Sequence, residues 1–188
     1  VRVSGTRARQ ALKAVFNGKK DPARLPRTLV FGDILDCKSG APIDKGLAVF
    51  MPAPWSFTGE DVVEFQFHGS PILVQRVLRS LYAYGVVPAA AGEFTKRAFL
   101  NGKLDLAQAE AIADVVNAKS DEELRFAGEQ LKGRLSQAVT TIGEPLRDAL
   151  AEFEALIDFP EEDITPDTRD NIAARAAVAK AKINQLLS

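Results

Sequence analysis

Two periodicities divide this chain. Over the first hundred residues, short apolar runs alternating at period two are interspersed with helical stripes. From Glu93 onward only the helical period is found. Val1–Ser4 reads as a strand, with Arg2 and Ser4 on one side and Val1 and Val3 on the other. Thr6 is placed to cap a helix carrying Leu12, Val15 and Phe16. The basic stretch Asn17–Pro26, broken by Gly18, Pro22 and Pro26, reads as loop. Thr28–Asp36 and Leu47–Met51 read as strands separated by a turn over Lys38–Lys45, and Met51–Glu60 as a loop containing Pro and aromatic residues. Val62–Phe67 is a strand, Pro71–Tyr84 a helix with Ile72, Val74, Val77, Leu78 and Leu81 available for burial, and Val86–Ala90 a further strand.

The second half reads as helices alone. Phe94–Leu100 is a short helix ended by Asn101-Gly102. Leu104–Ala118 carries Leu106, Ala109, Ile112, Ala113 and Val116 on one stripe. Asp121 to Phe159 reads as one long helix or two, with a boundary or kink at Pro145. Pro160 and the acidic residues after it stop that run, and Thr168–Leu187 closes the chain. The predicted class is therefore α+β: a sheet-and-helix domain over 1–101, then an all-α domain over 102–188.

Composition adds exclusions. The 188 residues are 46% apolar and 26% charged, enough for a sizeable core. No apolar run approaches the roughly 20 residues that span a bilayer, so no membrane partner is expected. One cysteine, Cys37, excludes an internal disulfide framework, and one histidine, His68, excludes a His-based metal cluster. A reducing, cytoplasmic setting fits this usage. Residues 1–100 carry 14 Lys and Arg against 8 Asp and Glu; residues 101–188 carry 10 against 17. Two differently charged surfaces follow, whether for partners or merely for solvation. Val1 in place of Met suggests a fragment.

Candidate chemistry concentrates in few places. Val62–His68 sets Val63, Phe65 and Phe67 on a core face and Glu64, Gln66 and His68 on the other. The polar face is either a solvated sheet surface or a ligand face. A carboxylate such as Glu64 accepts two parallel N–H bonds from a heterocycle with adjacent donors, a pterin or guanine edge. The helix start after His68-Gly69-Ser70-Pro71 is suited to an anion, although Ser70 as cap and Pro71 as first helical residue account for it without one. His68 has no Ser or Cys nucleophile beside it, and no catalytic residue is assigned. Lys96, Arg97 and Lys103 cluster around the short helix, as an anion site or a solvated face. Gly102-Lys103 is not a phosphate loop: Arg97 stands where its first Gly belongs and Leu104 where Ser or Thr is required. Asp158, Glu161, Glu162 and Asp163 form an acidic group, a hard-metal site or simply a solvated loop; no metal is assigned.

Four blocks in order, VRVSG (1–5), SFTGEDVVEFQFHG (56–69), GEFTKRAFLNGKLDLAQAEAIADVV (92–116) and DFPEED (158–163), resemble the N-terminal part of the tRNA-modifying GTPases MnmE, also called TrmE. The resemblance implies an α+β folate-binding domain like that of aminomethyltransferases, which dimerises and holds a tetrahydrofolate one-carbon donor (5-formyl- or 5,10-methylene-tetrahydrofolate) near the dimer interface. A helical domain would follow. It also implies a partnership with the flavoprotein MnmG (GidA), action on the wobble uridine of tRNA, and a GTPase domain using GTP, Mg2+ and K+. On matching positions the folate contacts fall to Arg2, Glu64 and Lys103. Compared with the family pattern, the GTPase domain, a Gly/Pro-rich leader and a C-terminal Cys motif are expected to be missing, which would leave the helical domain half-built with exposed stripes. The chain by itself is then predicted not to bind or hydrolyse GTP. Three other readings stand beside this one: a free-standing folate-dependent one-carbon transferase, a helical interaction module without ligand, and a tRNA-binding module acting through the basic half.

Overall fold

The computed structural model describes residues 1–159 and 169–187. Five strands, β1 (Arg2–Ser4), β2 (Phe16–Gly18), β3 (Val30–Leu35), β4 (Pro42–Met51) and β5 (Val62–Phe67), form one sheet in the order β1-β5-β4-β3-β2. Every neighbouring pair is antiparallel. The helices are α1 (Ala8–Val15), α2 (Pro71–Tyr84), α3 (Glu93–Leu100), α4 (Leu106–Asn117), α5 (Asp121–Leu131), α6 (Arg134–Asp158) and α7 (Arg169–Leu187). The chain divides into two compact units, Val1–Ala109 and Glu110–Ser188, with α4 crossing the division. An α+β unit followed by a helical one is the predicted class.

Register decides what each face of the sheet carries. Val3 lies opposite Val63, Phe50 opposite Val63, Phe65 opposite Ala48, Val30 opposite Ala48, and Phe16 opposite Ile34. These fall on one face and are buried with Ala8, Ala11, Leu12 and Val15 of α1 and Val77 and Leu81 of α2. Each large side chain so buried contributes about 1.5–3 kcal/mol. The reverse face carries Arg2, Glu64 and Val49 in register, then Gln66, Leu47 and Phe31. Helices α1 and α2 thus cover one face and leave the polar residues of β1 and β5 on the other.

Several boundaries differ from the sequence expectation. Phe16 is not helical. It turns extended, because pairing β2 with β3 buries its ring over Ile34. Thr6 does not cap α1; Arg7 holds the cap position and Ala8 N donates to Gly5 O at 3.0 Å. The stretch expected as loop contains β2 and a single 3-10 turn at Pro22–Arg24, capped by Asp21. β4 begins at Pro42, so its turn with β3 shrinks, and Asp36 closes it by accepting from Lys38 N, Ser39 N and Ser39 Oγ. Val86–Ala90 is not a strand: Gly85 ends α2 in the left-handed conformation and Val86 N donates back to Leu81 O. One buried hydroxyl ties α2 to the hairpin. Ser80 Oγ accepts from Cys37 N at 2.8 Å and donates to Leu35 O at 3.2 Å.

In the second unit Ser120 caps α5 by accepting from Glu123 N at 3.2 Å, and Asp121, Glu122 and Glu123 complement the dipole of its first turn. The break between α5 and α6 falls at Gly133, whose φ of 81° suits glycine, and not at Pro145. Pro145 sits inside α6. Helices α6 and α7 pack on each other around Ala149 and Ala179, with Arg175 Nη1 3.5 Å from Glu152 Oε1. On α4 the expected stripe is not what is buried: Ala111 is, while Leu106 and Val116 are exposed. The acidic group at 161–163 lies outside the described residues. Among those described, no helix is long and apolar enough to cross a membrane.

Candidate functional site

Arg2 and Glu64 are register partners across β1 and β5. Arg2 Nε donates to Glu64 Oε1 at 2.6 Å, with the two side chains 44% and 26% exposed. A short charge-assisted bond of this kind fixes both groups while leaving them open to solvent. Glu64 Oε2 accepts no hydrogen bond among the described residues, so half of the carboxylate is available. The Arg2 guanidinium also lies over two rings, 5.9 Å from the centroid of Phe57 and 5.6 Å from that of Phe94.

Phe57 belongs to the 52–61 loop, which is fastened at several points. Ser4 Oγ lies 2.7 Å from Thr58 Oγ1 and donates to Glu60 Oε2 at 2.7 Å. Gly5 N donates to Asp61 O, Ala53 N to Asp61 Oδ1, and Arg27 Nη2 to Trp55 O. Asn101 Nδ2 donates to Thr58 O at 2.7 Å, joining the loop to the end of α3. Thr58 is fully buried among these contacts.

Lys103 is placed by the same loop. Its ammonium sits 5.5 Å from the Trp55 ring centroid, and its aliphatic stem runs past Gly59, where a Cβ would stand 3.3 Å from Lys103 Cε. Arg2 and Glu64 are therefore brought together directly. Lys103 makes no bond to either, and the loop connects them, with Phe57 at one cation and Trp55 at the other.

The other sequence candidates separate from this group. Arg97 donates to Glu93 Oε1 through both Nε and Nη2, and to Glu60 Oε2 at 3.2 Å through Nη1. Its bonds to Glu93 and then Glu60 push its pKa upward, against desolvation. The Arg97 bond, followed by the Ala90 amide, holds the Glu93 carboxyl below its ordinary value. Arg97 is thus a brace between α3 and the loop, while Lys96 and Lys103 are exposed and form no ion pair among the described residues. His68 Nδ1 lies 3.0 Å from Asp44 Oδ2. Partial desolvation pushes the Asp44 carboxyl up, yet its bonds from the His68 ring and the Lys45 and His68 amides outweigh this and leave it below its ordinary value. Ser70 occupies the cap position of α2 without a side-chain bond, and Pro71 is its first residue. Among the described residues no group of three or more His, Cys, Asp or Glu is arranged to hold a metal.

A cavity of about 300 Å3 opens beside the edge strand β1, between the start of α1, the end of α2, residues 86–89 and α3. Arg2, Phe94 and Arg97 line it. Arg2 therefore borders the cavity on one side and holds Glu64 on the other. The sequence reading missed the supporting set of Ser4, Thr58, Glu60, Phe57 and Phe94. Its signals were Ser4 on the Arg2 side of the first strand and the polar-aromatic run Ser56–Glu60 between two strands too far apart for a tight turn.

Comparison with known proteins also divides the chain, just before α4. The family model described as GTP-binding protein TrmE N-terminus matches residues 1–103, and the MnmE helical domain matches residues 106–188. The tRNA modification GTPase MnmE of Opitutus terrae is 43% identical over 188 residues, covering all of this chain and 40% of the relative. That of Geobacter sulfurreducens is 42% identical over 188 residues, with 100% and 41% covered. That of Roseiflexus is 45% identical over 166 residues, with 88% and 36% covered. The chain thus spans about two-fifths of the length of the curated relatives it matches.

Proposed function

The chain belongs to the MnmE family of tRNA modification GTPases, and on that premise we propose that its first unit binds a reduced folate that donates a one-carbon group for tRNA modification. The observation that carries this reading is the Arg2–Glu64 pair. Glu64 stands on the sheet face that α1 and α2 leave open, with one oxygen held by Arg2 and the other available. That oxygen pattern accepts an N–H donor of a pterin edge while the guanidinium fixes the carboxylate as an anion. Arg2 and Lys103 supply positive charge to an anionic ligand. Phe57, Phe94 and Trp55 supply flat apolar surface for its rings. The cavity bordered by Arg2 is at the small end of ligand sites, as suits a pocket that a second subunit completes. When bound, the folate would supply the one-carbon unit; the residues here bind and orient it.

The remaining parts of the reading come from the family. The unit is a homodimerisation domain, and the protein works in the cytoplasm with the flavoprotein MnmG on the wobble uridine of tRNA to install an aminomethyl-type group. GTP, Mg2+ and K+ act in a region of the relatives that this chain does not span. The sequence here contains no GxxxxGK[ST] segment. Calorimetric titration with 5-formyltetrahydrofolate tests the site. Glu64→Ala is expected to weaken binding about 10- to 150-fold, the loss of one charge-assisted hydrogen bond at roughly 1.5–3 kcal/mol. Gln66→Ala, one strand repeat away, is expected to change it little. Equal affinity of Glu64→Ala and the parent chain overturns the assignment.

A further inference from the structure

We propose that the outer surface of α1 and α2 is a phosphate-backbone surface for RNA, on which tRNA lies; this rests on the reading of the protein as one that acts on tRNA. The two helices spend their apolar residues on the sheet: Ala8, Ala11, Leu12 and Val15 from α1, and Val77 and Leu81 from α2, are buried in one core. What remains outward is charged with a single sign. Arg9 and Lys13 lie one turn apart on α1, Arg76 and Arg79 are neighbours on α2, and all four are exposed. Neither helix contains an Asp or Glu. Lys13 and Lys20 border a shallow hollow of about 170 Å3 at the end of α1, which carries the charge into the following loop. None of these five cations pairs with a carboxylate among the described residues. The nearest acid in the hollow, Asp21, is engaged by Ala23 N and Arg24.

Helices α1 and α2 pack against each other, and the potentials of like charges on one surface add where they lie within about a Debye length, roughly 8 Å at physiological salt. A polyanion is the ligand that exploits such an array, because each neutralised phosphate releases counterions. The outer surface has no continuous apolar strip of the kind an interfacial helix presents to lipid; Ile72 and Tyr82 are exposed singly. RNA is thus favoured over a membrane. The Arg2–Glu64 pair lies on the reverse face of the sheet, and the adjoining cavity is lined by none of Arg9, Lys13, Lys20, Arg76 and Arg79, so this surface and the folate site can be tested apart.

Unmodified tRNA is titrated into the full chain by fluorescence anisotropy from 50 to 200 mM KCl, for the parent and for Arg76→Ala/Arg79→Ala, Arg9→Ala/Lys13→Ala and, as a control on α7, Lys180→Ala/Lys182→Ala. Thermal melts confirm folding of each variant. The first two pairs are expected to lower the slope of log K against log salt by about two each, near 0.9 for every phosphate that is no longer neutralised. The third is expected to leave the slope within about half of one such step. Unchanged slopes in the first two pairs, with the parent binding tRNA, overturn the surface while leaving the tRNA reading intact. A parent chain that fails to bind at 50 mM KCl overturns both. Binding to phosphatidylserine vesicles that is lost in the same variants, with tRNA affinity unchanged, overturns the RNA assignment in favour of a lipid surface.

Discussion

At the scale of single residues, the folded state depends on polar groups whose partners are far away in sequence. Ser80 shows this most simply. Its buried hydroxyl satisfies both Cys37 N–H and Leu35 C=O. Ser80→Ala is therefore expected to destabilise the first unit by about 1–3 kcal/mol, the cost of orphaning buried backbone groups, read as a lower urea midpoint with an unchanged slope. The Glu93–Arg97–Glu60 brace adds a pH dependence. Glu93 is held below its ordinary value in the folded state, mainly by Arg97. Its contribution is then complete above the unfolded carboxylate value, near pH 4, and is lost as pH falls through and below that range. The urea midpoint should fall between pH 5 and pH 3, and should fall less steeply in Arg97→Met. A fall of equal steepness would remove the brace from the account. None of these partnerships was legible in the sequence, because Ser80 looks like an ordinary helical serine and Arg97 like one more surface cation. Glu64 was legible, since strand period two puts it opposite the core residues Val63 and Phe65 whatever its partners are.

At the scale of elements, strand period and helical stripe identified most of the segments, and tertiary pairing moved their ends. Phe16 satisfies the stripe of α1 equally well as a helical residue, and only its pairing with Ile34 in β3 makes it a strand residue. Val86–Ala90 has strand composition but joins no strand of the sheet, and Val86 N turns back to Leu81 O instead. Long-range competition of this sort is invisible to local pattern. The β3–β4 ribbon depends on two facing glycines, Gly32 and Gly46. A Cβ at Gly46 would stand 2.3 Å from Gln66 O, on the backbone of β5. Gly46→Ala must push β4 away from β5, the strand that carries Glu64. It is expected to cost about 1–3 kcal/mol and to weaken folate binding together with stability, as measured by urea denaturation and calorimetry. In the helical unit the break falls at Gly133, a position the sequence reading had not singled out. Pro145 was expected as a boundary or a kink; it is no boundary, since α6 runs through it, and α5 and α6 are separated at the left-handed Gly133. Gly133→Ala is then expected to destabilise the second unit by about 1 kcal/mol, since alanine must adopt that strained conformation, whereas Pro145→Ala should not destabilise it.

At the scale of the whole molecule, the arrangement of the proposed folate site bears on assembly. Arg2 and Glu64 lie on the edge strand β1 and its neighbour β5, Lys103 beyond α3, and the loop carrying Trp55 and Phe57 between them. Glu64 keeps a quarter of its side-chain surface exposed, and the adjoining cavity is small for a folate. A second copy seated against this edge would complete the enclosure, which is the homodimer that the family resemblance implies. Thermodynamic linkage then makes a quantitative demand. If folate binds the dimer and not the monomer, a ligand concentration of about 100 times its dissociation constant strengthens dimerisation by about 2.7 kcal/mol for each of the two sites, roughly a hundredfold per site and about ten-thousandfold in the dimer dissociation constant when both are filled. Sedimentation velocity over a dilution series, with and without 5-formyltetrahydrofolate, is expected to show that shift. Glu64→Ala should dimerise like the parent without ligand and lose the response to it, because the residue acts on folate and not on the partner. A chain that stays monomeric at tens of micromolar in both conditions removes the dimer. A dimer whose dissociation constant ignores saturating folate retains the assembly but places the pocket wholly within one subunit.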